Sequence, residues 1–263
     1  MFQYHLAIDE GQVAPYVLLP GDPGRVEMVA ELWDEATHIA TNREYVTYTG
    51  TYRGAPISCT STGIGAPSTS IAMEELARVG ATTFLRIGTC GTFQDSIHNG
   101  DLLVFDSAVR HDGASDFYAP VEYPAVASHD VVTACIEAAE ALGETFHVGT
   151  TRSAATFYAG HPTPGSSYNR YWSSSWAELM RDLQRWNVIG AEMEAAVIFV
   201  LARAWGLRAG AISVVLDNVL EVRADDGEFD PHEGIVHDPD WVRAMCLAGC
   251  EAVRLLHERD SAS

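Results

Sequence analysis

The chain contains no lysine: all 16 of its basic side chains are arginine. That absence removes Schiff-base catalysis by lysine and the lysine of a Walker-type phosphate loop. Positive charge is scarce altogether, with 36 acidic residues and a formal net charge of −20 in 263 residues. Such a chain offers no basic face to a nucleic acid, and its long-range field repels anions. Any anion site must be built from locally gathered arginines, so each arginine in an apolar setting is informative. The acidic surface fits a salt-rich cytoplasm and equally a genome that writes arginine for lysine. Metal-ligand spacing is missing too. Cys59, Cys90, Cys135, Cys246 and Cys250 form no ligand pattern, Cys246 and Cys250 read as small apolar residues on one helix face, and the odd count fits a reducing compartment. The opening Met1-Phe2-Gln3-Tyr4-His5 lacks the basic start and apolar core of a secretory signal. The apolar run over 195–202 is cut by Arg203, short of the roughly 20 residues a membrane span needs. With no linker, repeat or low-complexity tract, the expectation is one soluble, cytoplasmic domain over 1–263, with no nucleic-acid or membrane partner.

What is present is an alternation. Strand-like runs occur at Tyr16–Leu19, Pro56–Ser61, Thr83–Gly88, Asp101–Val109, His147–Thr151 and Gly210–Leu216. Helical periodicity fills Arg25–Leu32, Ser68–Val79, Asp130–Leu142, Trp176–Trp186, Glu192–Trp205 and Asp240–His257. The pattern predicts an α/β fold with a parallel or mixed sheet, in which ligands sit beyond the carboxyl ends of the strands.

The segments after those strands carry the chemistry. Gly21-Asp22-Pro23-Gly24-Arg25 joins glycine, which lets backbone approach an oxyanion, to a helix start and a guanidinium fork. Arg86 sits inside the apolar run Phe84-Leu85-Arg86-Ile87, where an unpaired charge is costly, and Thr89 follows among glycines. Two arginines at Gly-rich strand ends point to phosphate. Gly63-Ile64-Gly65 is a weak dinucleotide signature, lacking a third glycine and a following acid. Glu192 and Glu194 flank Met193 at a predicted helix start. They suit a helix N-terminus, or carboxylates that accept sugar hydroxyls while methionine packs on the sugar's apolar face. Asp217 follows four apolar residues, so desolvation is expected to raise its pKa and let it hold a proton near neutrality, unless it only ends a strand.

In order along the chain stand G-D-P-x-R-V, N-R-E-Y (42–45), S-T-G-I-G-x-P-S-x-S-I (61–71), E-E-L (74–76), R-I-G-T-C-G (86–91), V-R-x-D-G-A-S (109–115), F-Y-x-G (157–160) and E-M-E (192–194). Together they resemble the nucleoside phosphorylase family that contains the uridine phosphorylases and the hexameric-type purine nucleoside phosphorylases, over about His5 to Asp217. The resemblance implies a three-layer α/β/α fold around a central mixed sheet. It also implies homodimers with shared active sites, assembled as a trimer of dimers, and no cofactor beyond phosphate as co-substrate. By matching positions, Gly21, Arg25, Arg86 and Thr89 form the phosphate site, and Arg43 is added by a neighbouring subunit. His5 reaches the ribose 5′ hydroxyl of the neighbour. Met193 and Glu194 clamp the ribose beside Glu192. Phe157, with Tyr158 and His161 beside it, takes the base. Glu44, Ile64 and Ser68 match a potassium site between subunits. Arg86 and Asp217 are the catalytic candidates.

Base identity is where the chain departs from its family. Uridine phosphorylases carry Gln and Arg after F-Y-x-G; His161 and Thr163 stand there instead. Asp217 falls where purine enzymes place the acid that protonates N7. The tryptophan-bearing helix between Gly160 and Glu192 is of the uridine type. The balance favours a 6-oxopurine nucleoside, inosine or guanosine, with uridine as the alternative. Arg223 is no clear match for the helix arginine that partners this acid, and His232 and His237 read as solvated loop histidines. A nucleosidase or a non-catalytic nucleoside binder would have no use for Arg25, Arg43 and Arg86 together.

Overall fold

Tyr16–Leu19 is buried at every position and forms β1. An unbroken apolar run suits a strand covered on both faces, and β1 lies parallel between β4 (Ala55–Thr60) and β5 (Thr83–Thr92). The computed structural model describes residues 1–221 and 235–262. Its sheet is mixed and runs β10-β6-β8-β9-β5-β1-β4-β3-β2, built from β2 (Glu35–Asn42), β3 (Tyr45–Tyr52), β6 (Leu102–His111), β8 (Phe146–Ala154), β9 (Gly190–Glu192) and β10 (Arg208–Asn218). A short β7 (Ala125–Val126) pairs with β6. β10 also pairs with β5, so β5, β10, β6, β8 and β9 close into a ring from which β1, β4, β3 and β2 extend.

Helices cover both sides. α1 (Gly24–Ala30), α3 (His129–Leu142) and α6 (Pro239–Ala262) pack together against one face, while α2 (Ala66–Arg78) packs with α5 (Ala195–Ala204) on the other. α5 is buried continuously from Ala195 to Ala202, as expected of a helix apolar all round. α6 buries one stripe, and there Gly249 lets it sit close on Ile87 of β5, where an added Cβ would come within 2.6 Å. The five cysteines are free and buried, and Cys246 and Cys250 lie on the buried stripe of α6, as their reading as apolar residues of one helix face expects. No helix of the described residues is long and apolar enough to cross a membrane.

Several predicted boundaries move. The hairpin β2–β3 was not expected: β2 is mostly exposed and polar, so it lacks apolar alternation. β5 runs four residues past Gly88, because Thr89 to Thr92 pair with the end of β10. The helix predicted from Glu192 begins at Ala195, since Gly190–Glu192 pairs as β9.

Candidate functional site

The carboxyl ends of β1, β5, β8 and β10 open into one cavity of about 1000 Å³. At one end are the arginines. Arg25 is largely buried, and burial together with the nearby Arg86 cation lowers its pKa. Its guanidinium forms no ion pair among the described residues. Asp22 shapes the approach by accepting the Gly24 N–H at 2.9 Å, and Gly21 lies so close to the Gly63 carbonyl that a Cβ would sit 3.2 Å from it. Thr89 borders the same space.

Arg86 is buried and carries the partners its setting demanded. Its Nη2 lies 2.6 Å from Glu194 Oε2, and its Nε lies 2.8 Å from Glu192 Oε2 without hydrogen-bond geometry. The Nη1 group is buried and has no partner among the described residues. Burial works against the guanidinium charge, but the two carboxylates outweigh it and hold the pKa above its ordinary value. Gly88 makes the pose feasible: a Cβ there would meet the Arg86 guanidinium at 2.8 and 2.9 Å.

The two glutamates divide their tasks. Glu192 was expected at the sugar. Both its oxygens are instead engaged in the frame: Oε1 accepts from Ser153 Oγ, and Oε2 accepts the N–H groups of Glu194 and Ala195 at 2.7 and 2.8 Å. Its side chain is buried against Arg86 and the start of α5, while the residue borders the cavity. Glu194 accepts from the Gly65 N–H and from Arg86. Burial is the largest influence on it and raises its pKa against the opposing pull of Arg86. Met193 lies beside it on the cavity wall.

Further along, Phe157 and Tyr158 are half-exposed and meet edge to face at 5.2 Å between ring centres. Gly160, with φ of +92°, turns the chain back so that His161 and Thr163 also line the cavity. Asp217 also lines the cavity. It is partly buried within β10, just past a register shift between Val215 and Asp217, and pairs with Gly91. Gly91 clears its place, since a Cβ there would fall 2.9 Å from Asp217 Oδ1 and 2.5 Å from Val219 Cγ2.

Two predicted residues lie elsewhere. His5 and Arg43 do not line the cavity. His5 is anchored by buried Glu75, which accepts its backbone N–H and lies 2.7 Å from its Nδ1. Arg43 is exposed at the β2–β3 turn with φ of +57°. Glu44, Ile64 and Ser68 border the cavity, and Ser68 Oγ donates to the Ile64 carbonyl at 3.2 Å. Arg223 and His232 lie outside the described residues, whereas His237, read as a solvated histidine, lines the cavity from an exposed position. Arg152 and Met180 also line it and were not anticipated. The only signal in the sequence was an arginine between residues that alternate in and out of a strand.

A family model described as the phosphorylase superfamily matches residues 15–238. A uridine phosphorylase of Thermococcus kodakarensis is 48% identical over 258 residues, covering 98% of this chain and 88% of that protein. A uridine phosphorylase of Escherichia coli is 43% identical over 220 residues, covering 82% and 85%. A guanosine phosphorylase of Halorubrum lacusprofundi is 43% identical over 218 residues, covering 83% and 84%.

Proposed function

The chain belongs to the phosphorylase superfamily, and from that premise we propose that it cleaves the N-glycosidic bond of a nucleoside with inorganic phosphate, with uridine as the first substrate. The observation that carries the reading is the group of arginines in the cavity: among the described residues Arg25 has no ion pair, and near it a buried Arg86 Nη1 has no partner. A dianion at that point would satisfy both. Gly21 and Thr89 would complete its shell.

The rest of the cavity supports the same reaction. A phosphate oxygen attacks the anomeric carbon, the bond from that carbon to the base nitrogen breaks, and its electron pair leaves with the base, which then takes a proton. As the sugar develops oxocarbenium character, the phosphate charge beside it is stabilising. Glu194 accepts hydrogen bonds from the 2′ and 3′ hydroxyls, with Met193 on the sugar's apolar face. Phe157 stacks on the base, with Tyr158 and His161 at its margin. His5 and Arg43 would act on the cavity of a second copy, in a dimer with shared sites assembled into a hexamer. Glu44, Ile64 and Ser68 offer a carboxylate, a carbonyl and a hydroxyl, a set suited to a hard cation such as potassium at that junction. No further cofactor is needed.

The relatives reverse the order of bases drawn from the sequence. The uridine phosphorylases of Thermococcus kodakarensis and Escherichia coli are 48% and 43% identical, so uridine comes first. A 6-oxopurine nucleoside is the second reading, supported by Asp217 in the cavity and by the guanosine phosphorylase relative. The protein should be incubated with uridine, inosine, guanosine, adenosine and thymidine, with and without phosphate, and free base measured. Base is expected only with phosphate; release in its absence would replace phosphorolysis by hydrolysis. Asp217→Asn distinguishes the bases. Purine turnover should fall about a hundredfold if Asp217 protonates the leaving purine, with phosphate KM retained, whereas uridine turnover should change little.

Gly88→Ala tests the anion site without removing a charge. The added methyl must displace the Arg86 guanidinium, and a shift of this kind is expected to lower kcat/KM about a hundredfold, chiefly through a raised KM for phosphate. A kinetically unchanged variant would mean that the arginine's pose is unimportant.

A further inference from the structure

Arg152 stands near the end of β8, between Thr151 and Ser153, which are buried. Ser153 points toward Glu192 and α5; strand alternation sends Arg152 to the opposite side, where it lines the cavity. Its guanidinium has no carboxylate within 4 Å among the described residues. Its two protein contacts are weak. Nε donates to His111 Nδ1 at 3.3 Å, and Nη1 lies 3.8 Å from Met180 Sδ. Desolvation pulls its pKa down to about 10, and its charge helps to keep the His111 imidazole neutral and able to accept. A largely buried cation with such partners is destabilising to the free protein. Groups retained at that cost are commonly ones a ligand satisfies.

Its position says which part of a ligand. A Cβ at Gly160 would lie 3.4 Å from Arg152 Nη2, so the guanidinium sits directly against the turn that follows Phe157 and Tyr158 and precedes His161. This is the base end of the cavity, away from the Arg25–Arg86 end. It is also where the family's Gln and Arg are replaced by His161 and Thr163.

Building on the phosphorylase reading, we propose that Arg152 is a specificity residue that donates to an exocyclic carbonyl oxygen of the nucleobase, so that the cavity accepts oxo-bases and rejects their amino counterparts. Arginine carries donors only. Opposite a C6 or C4 carbonyl it makes a charge-assisted hydrogen bond, which strengthens as the departing base gains negative charge. Opposite an amino group, donor meets donor and both stay unsatisfied, a mismatch that discriminates strongly in a buried site. The guanidinium that the family places after F-Y-x-G is thus supplied here from the neighbouring strand.

The test compares inosine with adenosine and uridine with cytidine in wild type, Arg152→Met and Arg152→Lys, with phosphate varied up to saturation. Calorimetric binding of free uracil, hypoxanthine, cytosine and adenine is measured in parallel. Wild type is expected to favour the oxo member of the pair it accepts by about a hundredfold or more. Arg152→Met should lower kcat/KM on that member by about 10- to 100-fold and bring the oxo-to-amino ratio near one. The phosphate KM should hold and the melting temperature should stay level or rise, because a buried charge with no carboxylate beside it among the described residues is replaced by an apolar chain. Arg152→Lys, which keeps charge without the planar fork, should recover part of the ratio. An unchanged ratio in Arg152→Met, or an equal loss on both members with a lowered melting temperature, would overturn the proposal and leave Arg152 a structural residue. Should wild type turn over no nucleoside, the phosphorylase reading fails, and base binding decides the proposal alone. Oxo-bases that bind wild type and weaken in Arg152→Met support it; equal binding, or none, overturns it.

Discussion

Arg86→Ala is expected to lower kcat/KM with phosphate and nucleoside by about a thousandfold and to destabilise the protein as well. Both effects follow from one guanidinium serving two masters. Its Nη1 is free for an anion, while Nε and Nη2 face Glu192 and Glu194. Removing one partner of a buried ion cluster commonly costs about 3–5 kcal/mol, because the remaining charge stays desolvated. The deficit should fall mainly on Glu194, since Glu192 keeps Ser153 and two backbone N–H groups. Glu194 already has a raised pKa, and without Arg86 it rises further above the unfolded value. A carboxyl whose folded pKa exceeds its unfolded pKa costs nothing when protonated in both states, and costs most above the folded pKa. The stability deficit of Arg86→Ala should therefore be largest above the raised folded pKa of Glu194, shrink as pH falls through it, and be gone by the ordinary glutamate value of about 4, as melting temperatures across pH would reveal. Arg25→Ala is the control. Arg25 has no ion pair among the described residues to abandon, so it should lose phosphate affinity without that pH-dependent deficit. If both variants melt like wild type at every pH, the cluster contributes nothing to stability and the assignment of Arg86's partners is wrong.

The parts of this site that were legible from sequence are those in which one residue type contradicts its neighbours. An arginine inside Phe84-Leu85-Arg86-Ile87 announces a buried charge, although its partners, Glu192 and Glu194, lie more than a hundred residues away and only the pairing of β9 with β5 and β8 brings them near. β1 was readable because it is apolar throughout; β2 and β3 were not, because their Thr- and Tyr-rich faces are partly exposed and carry propensity without alternation. The pair Glu192 and Glu194 looks symmetric about Met193, yet a three-residue strand ends at the first and a helix starts after the second. Their different partners follow from that boundary. Arg152 escaped notice because the predicted strand stopped at Thr151 and no run of apolar residues surrounds it. His5 and Arg43 were assignable only through the family resemblance, since neither borders this chain's cavity.

Glu194→Gln separates the sugar end from the phosphate end, and the expected signs are opposite. On the proposed function the carboxylate accepts two sugar hydroxyls, so loss of its charge should lower kcat/KM for the nucleoside by about 10²–10³. The phosphate KM should stay level or fall. Arg25 and Arg86 contribute two positive charges to the pocket, and Glu192 and Glu194 two negative ones, so the cluster is neutral before an anion arrives. A phosphate dianion entering it must compete with Glu194 for Arg86 Nη2 and is repelled by the carboxylate at close range. Glutamine removes the repulsion, keeps an oxygen for the Gly65 N–H, and leaves the guanidinium more available to the anion. Initial-rate measurements varying each substrate against the other would resolve the two effects. A phosphate KM that rises in step with the nucleoside KM would mean that Glu194 holds Arg86 in its productive pose, and that the ion pair positions the anion site rather than competing with it.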